Sequence, residues 1–133
     1  DEAKIIATAR DINNYKAQWA TERVKNAMLR FELDKKRKPV VAMMGLAFKP
    51  DIDDLRESPA KRITMNVMQS GNNADILVVE PNISEHNVFK LTDYREAYER
   101  ADIVVFLTGH TPFKKLPWTD NKVIIDFCGI LQK

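Results

Sequence analysis

Cysteine and long apolar runs are scarce in this sequence. Cys128 is the single cysteine among 133 residues, which excludes an internal disulfide and a zinc site built from cysteines. The longest apolar runs, such as IVVFL, are far too short to cross a bilayer, and no signal-peptide pattern precedes the helix-like start. His86 and His110 lack companions at metal-ligand spacing. We therefore predict a soluble cytoplasmic chain with no membrane partner and no metal.

An excess of charge of one sign is missing as well. Lys and Arg total 21 and Asp and Glu total 19, so the formal net charge is only +2. Without a wide positive field, nucleic acid is not an expected partner, and any anion must be met by local groups. We interpret the basic stretch DKKRK, residues 34–38, as a solvated linker.

Glycine and proline are absent from residues 3–34, where apolar side chains recur at helical spacing. This pattern predicts one long amphipathic helix of roughly 45 Å, which is longer than a domain built from the rest of the chain is wide. Part of the helix is therefore expected to contact another domain of a longer polypeptide or a second copy of the chain. Because the sequence begins with DEAKII and no initiator methionine, we interpret it as a fragment.

Beyond the linker the pattern changes to short continuous apolar runs, at residues 40–44, 76–79, 103–107 and 123–126. Such runs are typical of strands covered on both faces. Helical patterns lie between them, at residues 59–69 and 92–100. The alternation predicts an α/β fold, a Rossmann-like parallel sheet with flanking helices, with ligands bound beyond the carboxyl ends of the strands. We divide the chain into residues 1–38, the long helix with its linker, and residues 39–133, the ligand-binding domain.

A long charged loop, GLAFKPDIDDLRESPA at residues 45–60, follows the first predicted strand. Its first glycine ends an apolar run as in a dinucleotide turn, but no second or third glycine follows. Ser58 and Pro59 predict a helix start, whose free amides suit phosphate oxygens. Lys49 can supply a flexible point charge to the same ligand. The loop is therefore a candidate phosphate site.

Acidic residues outnumber basic ones in this loop, and they would repel a phosphate if they faced it. We expect them to pair with Arg56 and with backbone amides, so that Asp53, Asp54, Arg56, Glu57 and Ser58 brace the loop. A solvated loop with a purely structural role is the alternative. In that case the chain is a non-catalytic α/β interaction or regulatory domain.

The same loop is similar to the signature of the UDP-binding domain of nucleotide-sugar dehydrogenases, the family of UDP-glucose, GDP-mannose and UDP-N-acetylmannosamine dehydrogenases. The likeness extends through ILVVEPNI, ADIVVFLTGHTPF and ARDINNYKAQWATERV, and so over nearly the whole chain. FKP, VVEPNI and the GH after the third strand are most similar to the UDP-N-acetyl-D-mannosamine members. The resemblance implies oxidation of the sugar C6 alcohol to a carboxylate by two NAD, in the synthesis of polysaccharide precursors.

The resemblance also implies roles for particular residues. Lys49 and the backbone around Phe48 would bind the nucleotide sugar, and the long helix would form the core of a homodimer. Lys16 is the nearest match to a basic residue that crosses the dimer into the neighbouring site. Many members have an arginine just after the aspartate of the last strand, whereas this sequence reads DFCGIL, so we assign no arginine contact to that position.

The family's NAD-binding domain and catalytic cysteine precede the long helix, so we assign no catalytic or cofactor-binding residue within this chain. Cys128 lacks the sequence context of that nucleophile and is interpreted as a buried, inert thiol. His110 is interpreted as a surface or hydrogen-bonded loop histidine, with a place at the rim of the site as the alternative. Trp19 is assigned to packing.

Overall fold

In the computed structural model the described residues are 9–47, 58–70, 75–83, 86, 89–116 and 121–129, with only the backbone described for 9–16. The elements, in chain order, are α1 (Ala9–Lys35), β1 (Val40–Met44), α2 (Pro59–Met68), β2 (Asp75–Val79), α3 (Tyr94–Arg100), β3 (Ile103–Phe106), a 3₁₀ helix (Thr111–Lys115) and β4 (Val123–Asp126). The predicted alternation of strands and helices after the linker is confirmed, with boundaries within two residues of those expected, while the predicted start of the long helix at residue 3 lies outside the described residues.

The four strands form one parallel sheet in the order β2-β1-β3-β4. The chain leaves β1 toward one edge of the sheet and returns to pair β3 on the other side of β1. In open α/β sheets this reversal creates a crevice beyond the carboxyl ends of the two central strands, where ligands bind. The predicted burial on both faces holds for the central strands, while the edge strands begin with exposed residues, Asp75 in β2 and Val123 in β4.

The sheet separates two apolar clusters, because alternate strand residues point to opposite faces. On one face, strand residues pack against α1 and α2, in a cluster of Ala17, Ala20, Val24, Met28, Val41, Met43, Ile63, Val67, Ile103, Val105 and Ile125. On the other face they pack against α3 and the 3₁₀ helix, in a cluster of Ala42, Met44, Leu77, Val79, Ala97, Tyr98, Ala101, Val104, Phe106, Phe113 and Leu116. Both faces of the sheet are thus covered.

Helix α1 is 27 residues long, about 40 Å at 1.5 Å per residue, and only one side of it packs on the sheet. Its other side exposes large apolar side chains, with Trp19 55%, Leu29 52% and Leu33 80% exposed. Trp19 meets the ring of Phe127 edge-on, at 5.9 Å between centroids. The assignment of Trp19 to packing is therefore only half right, because the indole touches the domain at its margin.

The basic linker after α1, residues 34–38, is exposed as expected, but one of its side chains is fixed by an ion pair. Lys36 ends the helix in the left-handed region, at φ 58°, and its amide donates to the carbonyl of Glu32. Arg37 then forms a two-pronged ion pair with Asp102, with both N–O distances 2.9 Å. Asp102 also accepts the amide of Val40, the first residue of β1, at 2.9 Å. The linker interpretation misses this pair because Asp102 is distant in sequence.

Candidate functional site

The crevice between β1 and β3 begins at Gly45, where the chain leaves β1 with φ +102°. A Cβ at this position would lie 2.8 Å from the Cβ of Thr108, the second residue beyond β3, so only glycine fits. The amide of Gly45 donates to the carbonyl of Val79 at 2.8 Å. The Thr108 hydroxyl donates to the carbonyl of Ala47 at 2.8 Å. The ends of β2 and β3 therefore both hold the turn that follows β1.

Glu80 is the residue that organises this edge of the sheet. It directly follows β2 and is buried, and its Oε1 accepts the amides of Leu46 at 2.9 Å and Ala47 at 3.0 Å. The same oxygen lies 2.9 Å from Nε2 of His110, which is also fully buried. Oε2 accepts the amide of Asn82 at 2.9 Å. One carboxylate thus joins the loops that follow β1, β2 and β3.

The surroundings of Glu80 keep this carboxylate ionised. Burial alone would raise the pKa of Glu80, but the hydrogen bonds from His110 and from the amides of Leu46 and Asn82 outweigh it, so the pKa is lowered. Nδ1 of His110 lies 3.2 Å from the side-chain nitrogen of Asn82, which donates to it. The proton of the imidazole is then on Nε2, where it faces the carboxylate.

This arrangement restricts what can bind at the turn. In a dinucleotide fold the amides after β1 bind the pyrophosphate, and an acid at the end of β2 accepts from the ribose. Here the amides of Leu46 and Ala47 already donate to Glu80, so they are not available to a pyrophosphate. The oxygens of Glu80 already accept these amides and that of Asn82, so they are not available to a ribose hydroxyl. These residues do not fit the pyrophosphate or ribose of NAD. A phosphate in the crevice would have to be held further along the loop.

The far end of that loop is a helix start, as predicted. Ser58 is the N-cap of α2, with its hydroxyl accepting the amide of Lys61 at 3.4 Å, and Pro59 occupies the first turn. No acidic side chain lies in that first turn. The amino-terminal end of α2 therefore carries a partial positive charge that no acidic side chain of its first turn offsets.

Most of the predicted ligand contacts lie outside the described residues. This applies to the predicted substrate-binding pair and to the loop-bracing set apart from Ser58, namely Phe48, Lys49, Asp53, Asp54, Arg56 and Glu57. The backbone of Lys16 belongs to α1, but its side chain is likewise outside the description. The roles assigned to these residues stay predictions.

Sequence reasoning did not predict the pairing of Glu80 with His110, although a place at the rim of the site was the alternative for His110. Both lie at the strand-end positions where ligand residues were expected, but neither was assigned to the site. His110 is hydrogen-bonded, as one reading of the sequence held, yet it is fully buried rather than on the surface. The available signal was an acid immediately after the apolar run ILVV, where a buried charge requires partners.

The end of β4 corrects another expectation. Cys128 is exposed rather than buried, because it follows an edge strand that has a neighbouring strand on only one side. Asp126 accepts the amides of Cys128 at 3.2 Å and Gly129 at 2.9 Å and so shapes this turn. The guanidinium of Arg23, from α1, lies 5.9 Å from the ring centroid of Phe127. A cation thus approaches this strand end from α1.

Two further findings concern the described part of the chain alone. Within it, no group of three or more His, Cys, Asp or Glu side chains is placed to hold a metal ion. Its helices include none that is long and apolar enough to cross a membrane. At the carboxyl edge of the sheet the described polar groups are backbone amides, the Thr108 hydroxyl and the Glu80 carboxylate. They hydrogen-bond to one another and fix the turn that follows β1.

The chain matches known proteins over most of its length. Residues 42–133 match the UDP binding domain of the UDP-glucose/GDP-mannose dehydrogenase family. It is 41% identical to an NDP-N-acetyl-D-galactosaminuronic acid dehydrogenase of Ralstonia nicotianae, over 98% of this chain and 31% of that protein. It is 38% identical to a UDP-N-acetyl-D-mannosamine dehydrogenase of Campylobacter jejuni, over 96% of this chain and 31% of that protein.

The fold is shared with solved structures as well. A UDP-N-acetyl-mannosamine dehydrogenase from S. aureus superimposes with a TM-score of 0.71 at 24% identity, covering 97% of this chain and 35% of that one. This chain belongs to the UDP-glucose/GDP-mannose dehydrogenase family and contains its UDP-binding domain. It spans roughly a third of the length of the curated relatives.

Proposed function

We propose that this chain is the sugar-nucleotide-binding portion of an NAD-dependent UDP-N-acetyl-D-mannosamine dehydrogenase of the cytoplasm, which oxidises the C6 alcohol of the sugar to a carboxylate. The observation that carries the proposal is the match of residues 42–133 to a UDP-binding domain. The crevice at the reversal between β1 and β3 supports it, because the matched loop leaves the sheet at that place. NAD and the catalytic cysteine would be supplied by another part of the enzyme, since the turn after β1 does not fit a dinucleotide.

Within this proposal, UDP lies along the loop that connects β1 to α2. Lys49 and the backbone at Phe48 contact the nucleotide sugar, and the start of α2 at Ser58 faces its phosphates. Arg56 and the acids of the loop pair with one another and keep Lys49 directed at the diphosphate. The described geometry supports the location, since Ser58 caps α2 and no acidic residue in its first turn opposes a phosphate.

We further propose that residues 1–38 form the dimer core and residues 39–133 the UDP-sugar-binding domain. The supporting observation is the exposed apolar side of α1, with Leu29 and Leu33 both more than half exposed. In the dimer Lys16 would reach toward the partner's site. Light scattering on the chain tests this: a dimer is expected, and Leu33→Asp is expected to shift it toward monomer. A monomeric wild-type chain at high concentration would contradict the dimer.

Calorimetric titration with UDP tests the central proposal. The wild-type chain is expected to bind, and Lys49→Ala to bind about 10- to 100-fold more weakly, since a charge-assisted contact is worth about 1.5–3 kcal/mol. Lys35→Ala is the matched control, because Lys35 lies at the end of α1 beside the amino ends of the strands. Absence of UDP binding would instead favour a non-catalytic interaction or regulatory domain.

A competition experiment, in which nucleotide sugars displace bound UDP, tests which sugar the site prefers. UDP-N-acetyl-D-mannosamine is expected to displace UDP more effectively than UDP-glucose or GDP-mannose does. In the full-length enzyme the same order is expected for the rate of NAD reduction. A preference for the N-acetylgalactosamine series would assign the chain to the other group of relatives, one of which is 41% identical, compared with 38% for the N-acetylmannosamine enzyme of Campylobacter jejuni.

A further inference from the structure

The loop that carries the proposed nucleotide contacts is anchored at its start by side chains from other strands. Leu46 and Ala47 are the last described residues before it, and both of their amides donate to Oε1 of Glu80. The carbonyl of Ala47 accepts a hydrogen bond from the hydroxyl of Thr108. The positions of Leu46 and Ala47, which precede the predicted ligand residues, are therefore set by groups at the ends of β2 and β3.

The anchoring pair is unusual in its burial. The side chains of Glu80 and His110 are both 0% exposed, whereas in the Lys and Arg ion pairs of the described residues each side chain is at least 20% exposed. Removing a carboxylate from water is costly, and well-packed apolar residues would stabilise such a core as well or better. A fully buried, fully hydrogen-bonded pair at a ligand edge therefore points to a role in directing the chain.

We propose that Glu80 and His110 are positioning residues for nucleotide binding. Glu80 holds the amides of Leu46 and Ala47, and His110 holds the Glu80 carboxylate, so that the loop is aimed at the ligand before it binds. Neither side chain touches the nucleotide, because both are enclosed. This inference rests on the proposed function, since it concerns the affinity of that same site for UDP.

The hydrogen-bond pattern identifies a substitution that changes the hydrogen bonds of Glu80 without changing its shape. In Glu80→Gln the side chain keeps its shape, but one of its two ends becomes an NH₂ group. Either orientation places that NH₂ against a donor, either the amide of Asn82 or the three donors that converge on Oε1. The loop start is then released or displaced. His110→Gln is the milder variant, because it leaves the backbone amides with their acceptor.

The experiment compares UDP affinity in the whole chain for the wild type, Glu80→Gln, His110→Gln and the control Asp102→Asn. Asp102 is the matched control because it also accepts a strand amide, that of Val40, together with a basic side chain, but at the opposite ends of the strands. Glu80→Gln is expected to weaken UDP binding about 10-fold or more and His110→Gln about 3-fold, on the scale of lost hydrogen bonds to charged groups. Asp102→Asn is expected to bind as the wild type does.

A second measurement separates this inference from the proposed function. Hydrogen exchange at the amides of Leu46 and Ala47 is expected to accelerate at least 10-fold in Glu80→Gln, while the amide of Val40 stays protected. In Asp102→Asn the reverse is expected. Wild-type protein that fails to bind UDP would refute the proposed function, while the exchange rates would still decide whether Glu80 positions the loop.

Three results would overturn the inference. They are wild-type UDP affinity in Glu80→Gln, unchanged exchange at Leu46 and Ala47 in that variant, and an equal loss of affinity in Asp102→Asn, which would indicate a general loss of stability. Should Glu80→Gln fail to fold, His110→Gln decides the matter by the same two measurements. Wild-type affinity and exchange in His110→Gln would then overturn the role of the pair.

Discussion

The two ends of β1 are held by the same chemistry in different surroundings. At the amino end, Asp102 accepts the amide of Val40 and pairs with Arg37. At the carboxyl end, Glu80 accepts two amides that follow β1 and pairs with His110. The first pair lies at the surface, and the second is fully enclosed.

The causes of the pKa shifts show what that difference means. The pKa of Asp102 is lowered, and the largest influence on it is the hydrogen bond from Arg37, which exceeds the opposing effect of burial. For Glu80 burial is the largest influence and raises the pKa, and only the combined hydrogen bonds of its partners reverse it. Loss of a partner should therefore cost more at Glu80, whose side chain is 0% exposed, than at Asp102, whose side chain is 20% exposed. A carboxylate that accepts backbone amides thus lies at both ends of β1. Glu80 holds the buried turn at the carboxyl end, and Asp102 makes a surface ion pair at the amino end.

Glu80→Ala should have the largest effect on stability. It leaves His110 and the amides of Leu46 and Ala47 without their acceptor in a buried place, where each unsatisfied donor costs about 1–3 kcal/mol, so that the three together should cost about 3 kcal/mol or more. Urea denaturation measures the loss. A loss below about 1 kcal/mol, the value typical of a surface pair, would mean that burial does not distinguish the two ends of β1.

Gly45→Ala should follow, because it strains the same carboxyl edge through the backbone. The left-handed φ and the approach of a Cβ to Thr108 predict a loss of about 2–4 kcal/mol in thermal or urea unfolding. Gly109→Ala is the matched control, since its Cβ would meet only the sulfur of Cys128 at 3.7 Å. Equal losses in the two variants would contradict the close contact at the crevice.

Lowering the pH should reduce the free energy of unfolding by less than Glu80→Ala or Gly45→Ala does, because a protonated Glu80 side chain still fills its buried position. Its folded-state pKa is lowered, so its contribution to stability is complete above the unfolded-state pKa and is lost as pH falls through the lower, folded-state pKa. The difference in unfolding free energy between wild type and Glu80→Gln should therefore shrink over that interval. A difference that is constant with pH would contradict an ionised Glu80.

Asp102→Ala should cost only about 1 kcal/mol, the value of the hydrogen bond to Val40, since the exposed ion pair adds little. Because Arg37 is more than half exposed, the loss should also decrease with added salt. Urea denaturation at low and high ionic strength measures both. A loss that approaches that of Glu80→Ala would remove the contrast between the two ends.

Lys36→Gly should have the smallest effect, and it should be stabilising. Lys36 ends α1 in the left-handed region, which costs a side-chain-bearing residue more than glycine. A gain of up to about 1 kcal/mol is expected in thermal unfolding. The control Lys35→Gly, inside the helix, should be destabilising instead. A loss in both variants would show that Lys36 makes a contact that outweighs its conformation.

Local patterns in the sequence were sufficient for the order of elements, for the family and for the start of α2. Continuous apolar runs mark all four strands, Ser58 with Pro59 marks the start of α2, and the loop signature identifies the family. These features depend on residues that are close in sequence, where backbone preference and hydrophobic period act directly. The position of the crevice then follows from the parallel arrangement of the strands.

The tertiary structure alone decided which charges are buried and which apolar groups are exposed. Glu80 and His110 are 30 positions apart, and their pairing depends on β2 and β3 ending at the same edge on either side of β1. Cys128 and Trp19 are exposed because β4 is an edge strand and α1 is covered on one side only. Burial is a property of the assembled layers, and a hydrogen bond between distant residues exists only once those layers have packed. Composition and spacing therefore determined the alternation of strands and helices, and packing determined how the turn after β1 is held.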